Sequence, residues 1–141
     1  MTLHIPGTLL DDIHSHGEAA YPDEGAGLLL GVLLDGSKQV SALLPLSNVR
    51  EDGARHNRYL LDPLEYMRGE DEAAQLGLDV LGIFHSHPDH PNRPSDYDRE
   101  WAMPWFSYLI TSVNQGQAVE SRSWLLRPDR SAFDEEELQQ N

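Results

Sequence analysis

Residues 78–98 read LDVLGIFHSHPDHPNRPSDYD. The stretch 78–86 is apolar almost throughout, the pattern of a strand buried on both faces, and Pro88 closes it. Three prolines between 88 and 94 make the next stretch a loop. Ser95 then opens a short helix that Pro104 ends or kinks. Side chains two apart on a strand share a face, so His85 and His87 present their rings together. Two neutral imidazoles converging in this way suit zinc, which in catalysis takes three protein ligands and keeps one position open. The third ligand has to come from another element. Asp98, one turn into the helix, is placed to supply it.

The spacing carries more weight than the pair. Seven histidines in 141 residues give about 0.35 chance His-x-His pairs. Requiring Pro88, Ser95 and Asp98 at their offsets lowers the chance count to roughly 0.0002. The chain also holds its own control, His14-Ser15-His16. That tripeptide falls inside a predicted helix, where the two rings point about 200° apart and cannot share an ion. His14 and His16 are therefore expected at the surface or the edge of the core, and His90 in a loop. Ser95 and Asp98 also fit a capping box, so Ser95 is expected both to cap the helix and to face the site.

Working outward, residues 3–6 read as a short first strand. Thr8 caps a helix with Leu9, Leu10, Ile13, Gly17 and Ala20 on one face and Asp11, Asp12, Ser15 and Glu18 on the other, and Pro22 ends it. Residues 26–34 form a second buried strand, and Asp35-Gly36 turns the chain back into a partner at 39–46. Residues 48–58 are polar and irregular, and 59–61 form a short strand. Asp62-Pro63 starts a helix that Gly77 stops. Residues 108–113 and 118–126 pair through a turn at Asn114-Gln115-Gly116. The acidic run 134–137 reads as a solvated tail or edge. Trp101, Trp105 and Trp124 are assigned to core and groove wall. Strands and helices mix without strict βαβ alternation, so the class is α+β with a mixed sheet.

Length predicts one domain over residues 1–141, with 134–141 as its tail. The absence of cysteine excludes disulfides, a thiolate nucleophile and any Cys-based zinc knuckle. Twenty-four acids against ten bases give a net charge of −14, which argues against nucleic acid and anionic membranes as partners. No secretory signal and no apolar run of membrane-spanning length is visible, so a cytoplasmic location is expected. Lys38 is the only lysine. An acidic, lysine-poor surface is the kind that stays hydrated when salt screens ordinary repulsion.

His85-Ser86-His87-Pro88 followed by Ser95 and Asp98 resembles the JAMM motif of MPN-domain metalloproteases, the JAB1/MPN/Mov34 group. That family carries a glutamate upstream, near the end of the first helix and before a glycine-rich apolar strand. Tyr21-Pro22-Asp23-Glu24-Gly25-Ala26-Gly27-Leu28-Leu29-Leu30-Gly31 fits the segment, so Glu24 takes the position. The resemblance runs from the first helix to about Trp124. It implies a single MPN domain of the short prokaryotic type, a mixed curved β-sheet flanked by helices and cytidine-deaminase-like. It implies that His85, His87 and Asp98 bind zinc, that Glu24 is general base on a zinc-activated water, and that Ser95 stabilises the oxyanion. Asp23 and Glu18 stand nearby as alternative bases. Ala26 replaces a cysteine found in many relatives, at a packing position.

The long insertions of eukaryotic deubiquitinating members are missing. The resemblance therefore implies a peptidase or isopeptidase acting after the C-terminal Gly-Gly of a small ubiquitin-like or sulfur-carrier protein, or releasing cysteine from such a carrier. A non-haem iron oxygenase shares the ligand types but leaves Pro88 and Ser95 unexplained. A cupin needs a glutamate where Asp89, His90 and Pro91 stand. The alternative from another class is an inactive MPN-type interaction scaffold, whose members typically lack the ligands present here.

Overall fold

The structure, a computed structural model, describes residues 2–46 and 63–141. In chain order the elements are β1 (Thr2–Ile5), α1 (Gly7–Ala20), β2 (Ala26–Leu34), β3 (Ser37–Leu46), α2 (Pro63–Gln75), β4 (Asp79–Pro88), α3 (Asp96–Trp101), β5 (Ser107–Asn114), β6 (Gln117–Leu126) and β7 (Phe133–Gln140). The α+β class and the mixed sheet agree with the sequence. The expected irregular stretch 48–58, the strand at 59–61 and the Asp62 cap lie outside the described residues.

The sheet does more than curve. It closes on itself in the order β1-β3-β2-β4-β5-β6-β7, because β1 pairs in parallel with both β3 and β7. β4 and β5 are also parallel, and the remaining pairs are antiparallel. Closure corrects the reading of residues 134–141 as a solvated tail or edge. They form most of β7, hydrogen-bonded on both sides, with Glu136 turned inward and buried. Four consecutive acids hide the alternation of this strand.

Each face of β2 feeds a different part of the core, as expected of a strand buried on both sides. Leu29 joins Leu3, Ile5, Ile13, Val40, Leu81, Phe84 and Leu109, beneath α1. Leu28 and Leu30 join Ile83, Phe106, Tyr108 and Leu126, beneath Ala73 of α2. The burial stops at Gly31, and Leu33 and Leu34 run out into solvent before the hairpin. The hairpin turn is where it was expected, with Asp35 and Gly36 both at positive φ (51° and 78°), the pairing a tight two-residue turn demands. Gly77, φ 71°, stops α2 in a Schellman arrangement, Leu78 N–H bonding to Ala73 O and Gly77 N–H to Ala74 O.

Three local readings change. α1 begins at Gly7 behind Pro6, whose carbonyl accepts Leu9 and Leu10 N–H, so Thr8 lies inside the helix and no side chain caps it. Pro88 is the last residue of β4 rather than a stop before its end, because β5 still pairs with it at Val113. Trp101 and Trp105 are 65% and 59% exposed, not core. Trp124 is half-buried and donates its Nε1–H to Asn92 O at 2.9 Å.

At one end of β5 the barrel buries a polar cluster. Lys38, 4% exposed, donates to Ser107 Oγ at 2.7 Å, Trp105 O at 3.0 Å and Leu81 O at 3.4 Å. Ser107 and Ser123 in turn donate to Glu136 Oε1 at 2.7 and 2.8 Å. Burial pulls the Lys38 ammonium below its usual range, against the charge of Glu136.

Candidate metal centre

β2 begins at Ala26, opposite His85, while β4 continues three residues further, to Pro88, paired with β5. The space in front of His87 is therefore left to the turn that precedes β2. Glu24 fills it, two residues before Ala26. Glu24, His85 and His87 each bring a ligand atom within 4.8 Å of the others, and all three residues are buried.

Asp98 arrives from the other side. Its carboxylate lies 3.4 Å from His85 Nε2 and 3.2 Å from His87 Nε2, and the two ring nitrogens are 3.2 Å apart. Bonds of about 2.0–2.1 Å to a tetrahedral ion would separate its ligands by about 3.3–3.4 Å. The ring-to-ring distance and both Asp98 distances lie close to that spacing, Oδ1 of Asp98 facing His85 and Oδ2 facing His87. The protons agree: His87 Nδ1 faces Pro91 O at 2.8 Å, a bond it makes as the donor, which leaves Nε2 a lone pair. Two imidazole nitrogens and a carboxylate converge here, a donor set that a divalent cation can take in place of the protons between them.

The same surroundings act on protons. Burial disfavours an imidazolium at His87, but Asp98 and Glu24 outweigh it and raise the pKa. Burial likewise opposes the Asp98 anion, and the two imidazoles hold that carboxyl far below the usual range. The anionic form of Asp98 is therefore the one its surroundings favour.

Ser95 is the N-cap of α3. Its Oγ accepts Asp98 N–H at 3.1 Å while Asp98 Oδ2 accepts Ser95 N–H at 2.8 Å, the expected capping box. Capping and ligation are compatible, because Asp98 spreads its two oxygens over the backbone and both rings. A cleft of about 480 Å³ runs beside the centre, lined among others by Glu24, His87, His90, Arg93, Ser95 and Tyr97. His90 is an exposed loop residue on its wall.

The control tripeptide separates as expected. His14 Nε2 meets Ser121 Oγ at 2.9 Å. His16 packs edge-on against Phe84 at 5.6 Å, and burial lowers its pKa against a hydrogen bond with the Ala26 backbone. Sequence reasoning missed the loop's anchors. Asp89 accepts the Tyr21 hydroxyl at 2.6 Å and Gln115 N–H at 2.8 Å, and buried Asn92 donates to Glu120 O at 3.1 Å. These partners lie far apart in the chain, and no local pattern marks them.

The chain is similar to known proteins along most of its length. Residues 6–127 match the Prok-JAB model, described as prokaryotic homologs of the JAB domain. A probable TtuB-protein conjugate cleaving protease of Thermus thermophilus is 32% identical over 127 residues, 84% of this chain and 81% of that one. A desampylase of Haloferax volcanii is 35% identical over 113 residues, 78% of this chain and 80% of that one. Among solved structures, a JAB1/MPN domain protein from Archaeoglobus fulgidus superposes with a TM-score of 0.58 at 20% identity, covering 99% of this chain and 100% of that one.

Proposed function

The chain belongs to the prokaryotic homologs of the JAB domain, and from that premise we propose that it is a zinc-dependent peptidase or isopeptidase. Its substrates in this reading are small ubiquitin-like or sulfur-carrier proteins and their conjugates, cut after a C-terminal Gly-Gly. The observation that carries the reading is the triangle of His85, His87 and Asp98, with edges of 3.2, 3.4 and 3.2 Å and Glu24 beside it. Relatives named for cleaving TtuB–protein conjugates and for desampylase activity support the substrate class. An inactive scaffold has no need of two imidazoles, Asp98 and Glu24 gathered in the interior.

His85, His87 and Asp98 would hold the ion. Zinc, when bound, supplies Lewis-acid polarisation of the scissile carbonyl and makes a water acidic near neutral pH. Glu24 takes the proton of the attacking water and returns it to the departing nitrogen, which is too basic to leave as an anion. The Ser95 hydroxyl already accepts Asp98 N–H, so its own hydrogen is available to the carbonyl oxygen as negative charge develops there. Amide and water thus become carboxylate and amine. The cleft beside Glu24 holds the extended tail, and glycine there avoids side-chain contact with the walls.

The test uses a β-grasp carrier with a diglycine tail fused to a second protein, the products read by mass spectrometry. We expect cleavage after the second glycine, loss of cleavage with a chelator and recovery with Zn²⁺. Equal turnover of tails carrying leucine at both positions would overturn the Gly-Gly specificity. Full activity of exhaustively demetallated protein would overturn the zinc dependence.

A further inference from the structure

Ser86 lies between the two histidines of β4, and strand alternation sends its side chain to the opposite face. It is 3% exposed. Its Oγ accepts Gly25 N–H at 2.8 Å, and its own N–H donates to Gly25 O at 3.0 Å. The regular β2–β4 pairing ends one step earlier, at Ala26 opposite His85. Ser86 therefore adds a final rung in which a side-chain oxygen stands in for the missing backbone acceptor. Both polar groups of Gly25 are committed to this one residue.

Gly25 is also boxed in from behind. A Cβ there would meet Ala20 Cβ and His16 Cδ2, each at 3.0 Å. One on Gly17 would lie 3.2 Å from Ser86 Cβ, so α1 presses against the same joint. Glu24, the residue before Gly25, inherits this constraint. Its carboxylate reaches the histidine pair only while the Gly25 peptide stays in place.

We infer that Ser86 is the positioning residue for Glu24, fixing the turn that carries the base to the strand that carries the metal-binding rings. The inference rests on the reading of Glu24 as base. It concerns a residue that touches neither ion nor substrate and faces away from both.

Ser86→Ala removes the acceptor. Ser86→Cys keeps most of the volume while offering sulfur, a weak acceptor. Ser86→Thr restores an oxygen. In metal-free protein, amide hydrogen exchange of Gly25 should accelerate at least about tenfold in Ser86→Ala and Ser86→Cys and return toward wild type in Ser86→Thr. In the zinc-loaded enzyme, kcat on the diglycine fusion should fall about 10- to 100-fold in Ala and Cys, with KM within about twofold and zinc content unchanged. A merely structural serine would lower stability without splitting kcat from KM. Unchanged Gly25 exchange, or unchanged kcat where Glu24→Gln is inactive, overturns the inference. If Glu24→Gln keeps its rate, the reading of the base has failed, and the inference falls with it by that separate route.

Discussion

Glu24 and Asp98 are both buried carboxylates beside the histidine pair, and the proposed mechanism gives them different roles. Asp98 touches both ring nitrogens and is held as an anion, so Asp98→Asn exchanges a charged ligand for a neutral amide and should lose most of the zinc. Glu24→Gln keeps shape but not basicity, so zinc should remain while the single-turnover rate falls about 10²–10⁴-fold. Measuring metal content and single-turnover rate on both variants checks the assignment. Loss of zinc from Glu24→Gln comparable to that from Asp98→Asn would reverse it, and a near-normal rate would point to Asp23. His85, His87, Ser95 and Asp98 were legible because one strand, one loop and one helix deliver them within a short span of sequence. Glu24 was legible only through the family resemblance, since spacing within 85–98 says nothing about a residue in a distant turn. The Ser86–Gly25 joint was not legible at all. A serine between two histidines is identical in 14–16 and 85–87, and only the surrounding backbone decides what each can reach.

Strand pairing and helix docking set the next scale. Gly82 on β4 pairs with Ser107 on β5, and a Cβ at Gly82 would land 1.9 Å from Ser107 O, a backbone atom that cannot step aside. Gly82→Ala should therefore cost at least about 2 kcal/mol in urea unfolding, and a loss under about 0.5 kcal/mol would show the two strands to be looser than described. On α1, His16 has its pKa lowered by burial, so the unfolded chain binds its proton first as pH falls below 6.5. Stability at this residue is complete above that value and is lost as pH drops through the lowered one. Metal-free His16→Gln should lose less stability between pH 7.5 and 5.5 than wild type, measured by denaturant midpoint; equal losses would mean the ring is solvated. Continuous apolar runs marked β2 and β4, the apolar face marked α1, and start and stop residues marked α2 and α3. β7 escaped these marks. In FDEEELQQ the only fully buried residue is Glu136, whose inward position depends on two serine hydroxyls from β5 and β6.

Across the whole molecule, two apolar clusters run under α1 and α2, with no residue of the histidine pair in either. The fold should therefore stand without its ion. Chelation should lower the midpoint of thermal unfolding but leave a single cooperative transition. Loss of that transition would mean the ion is part of the core. The closed sheet also settles where the sole lysine goes. Lys38 has carbonyl and hydroxyl partners for its hydrogens and almost no contact with solvent, so the native fold presents no side-chain amine. Amine-directed acylation becomes a clock for opening of the barrel. An activated ester should leave Lys38 unmodified in the native protein and acylate it in urea, as peptide mass spectrometry would show; rapid native labelling would contradict the buried cluster. A chain proposed to undo the coupling of carrier tails to amines therefore offers no lysine amine of its own at which such a coupling could form.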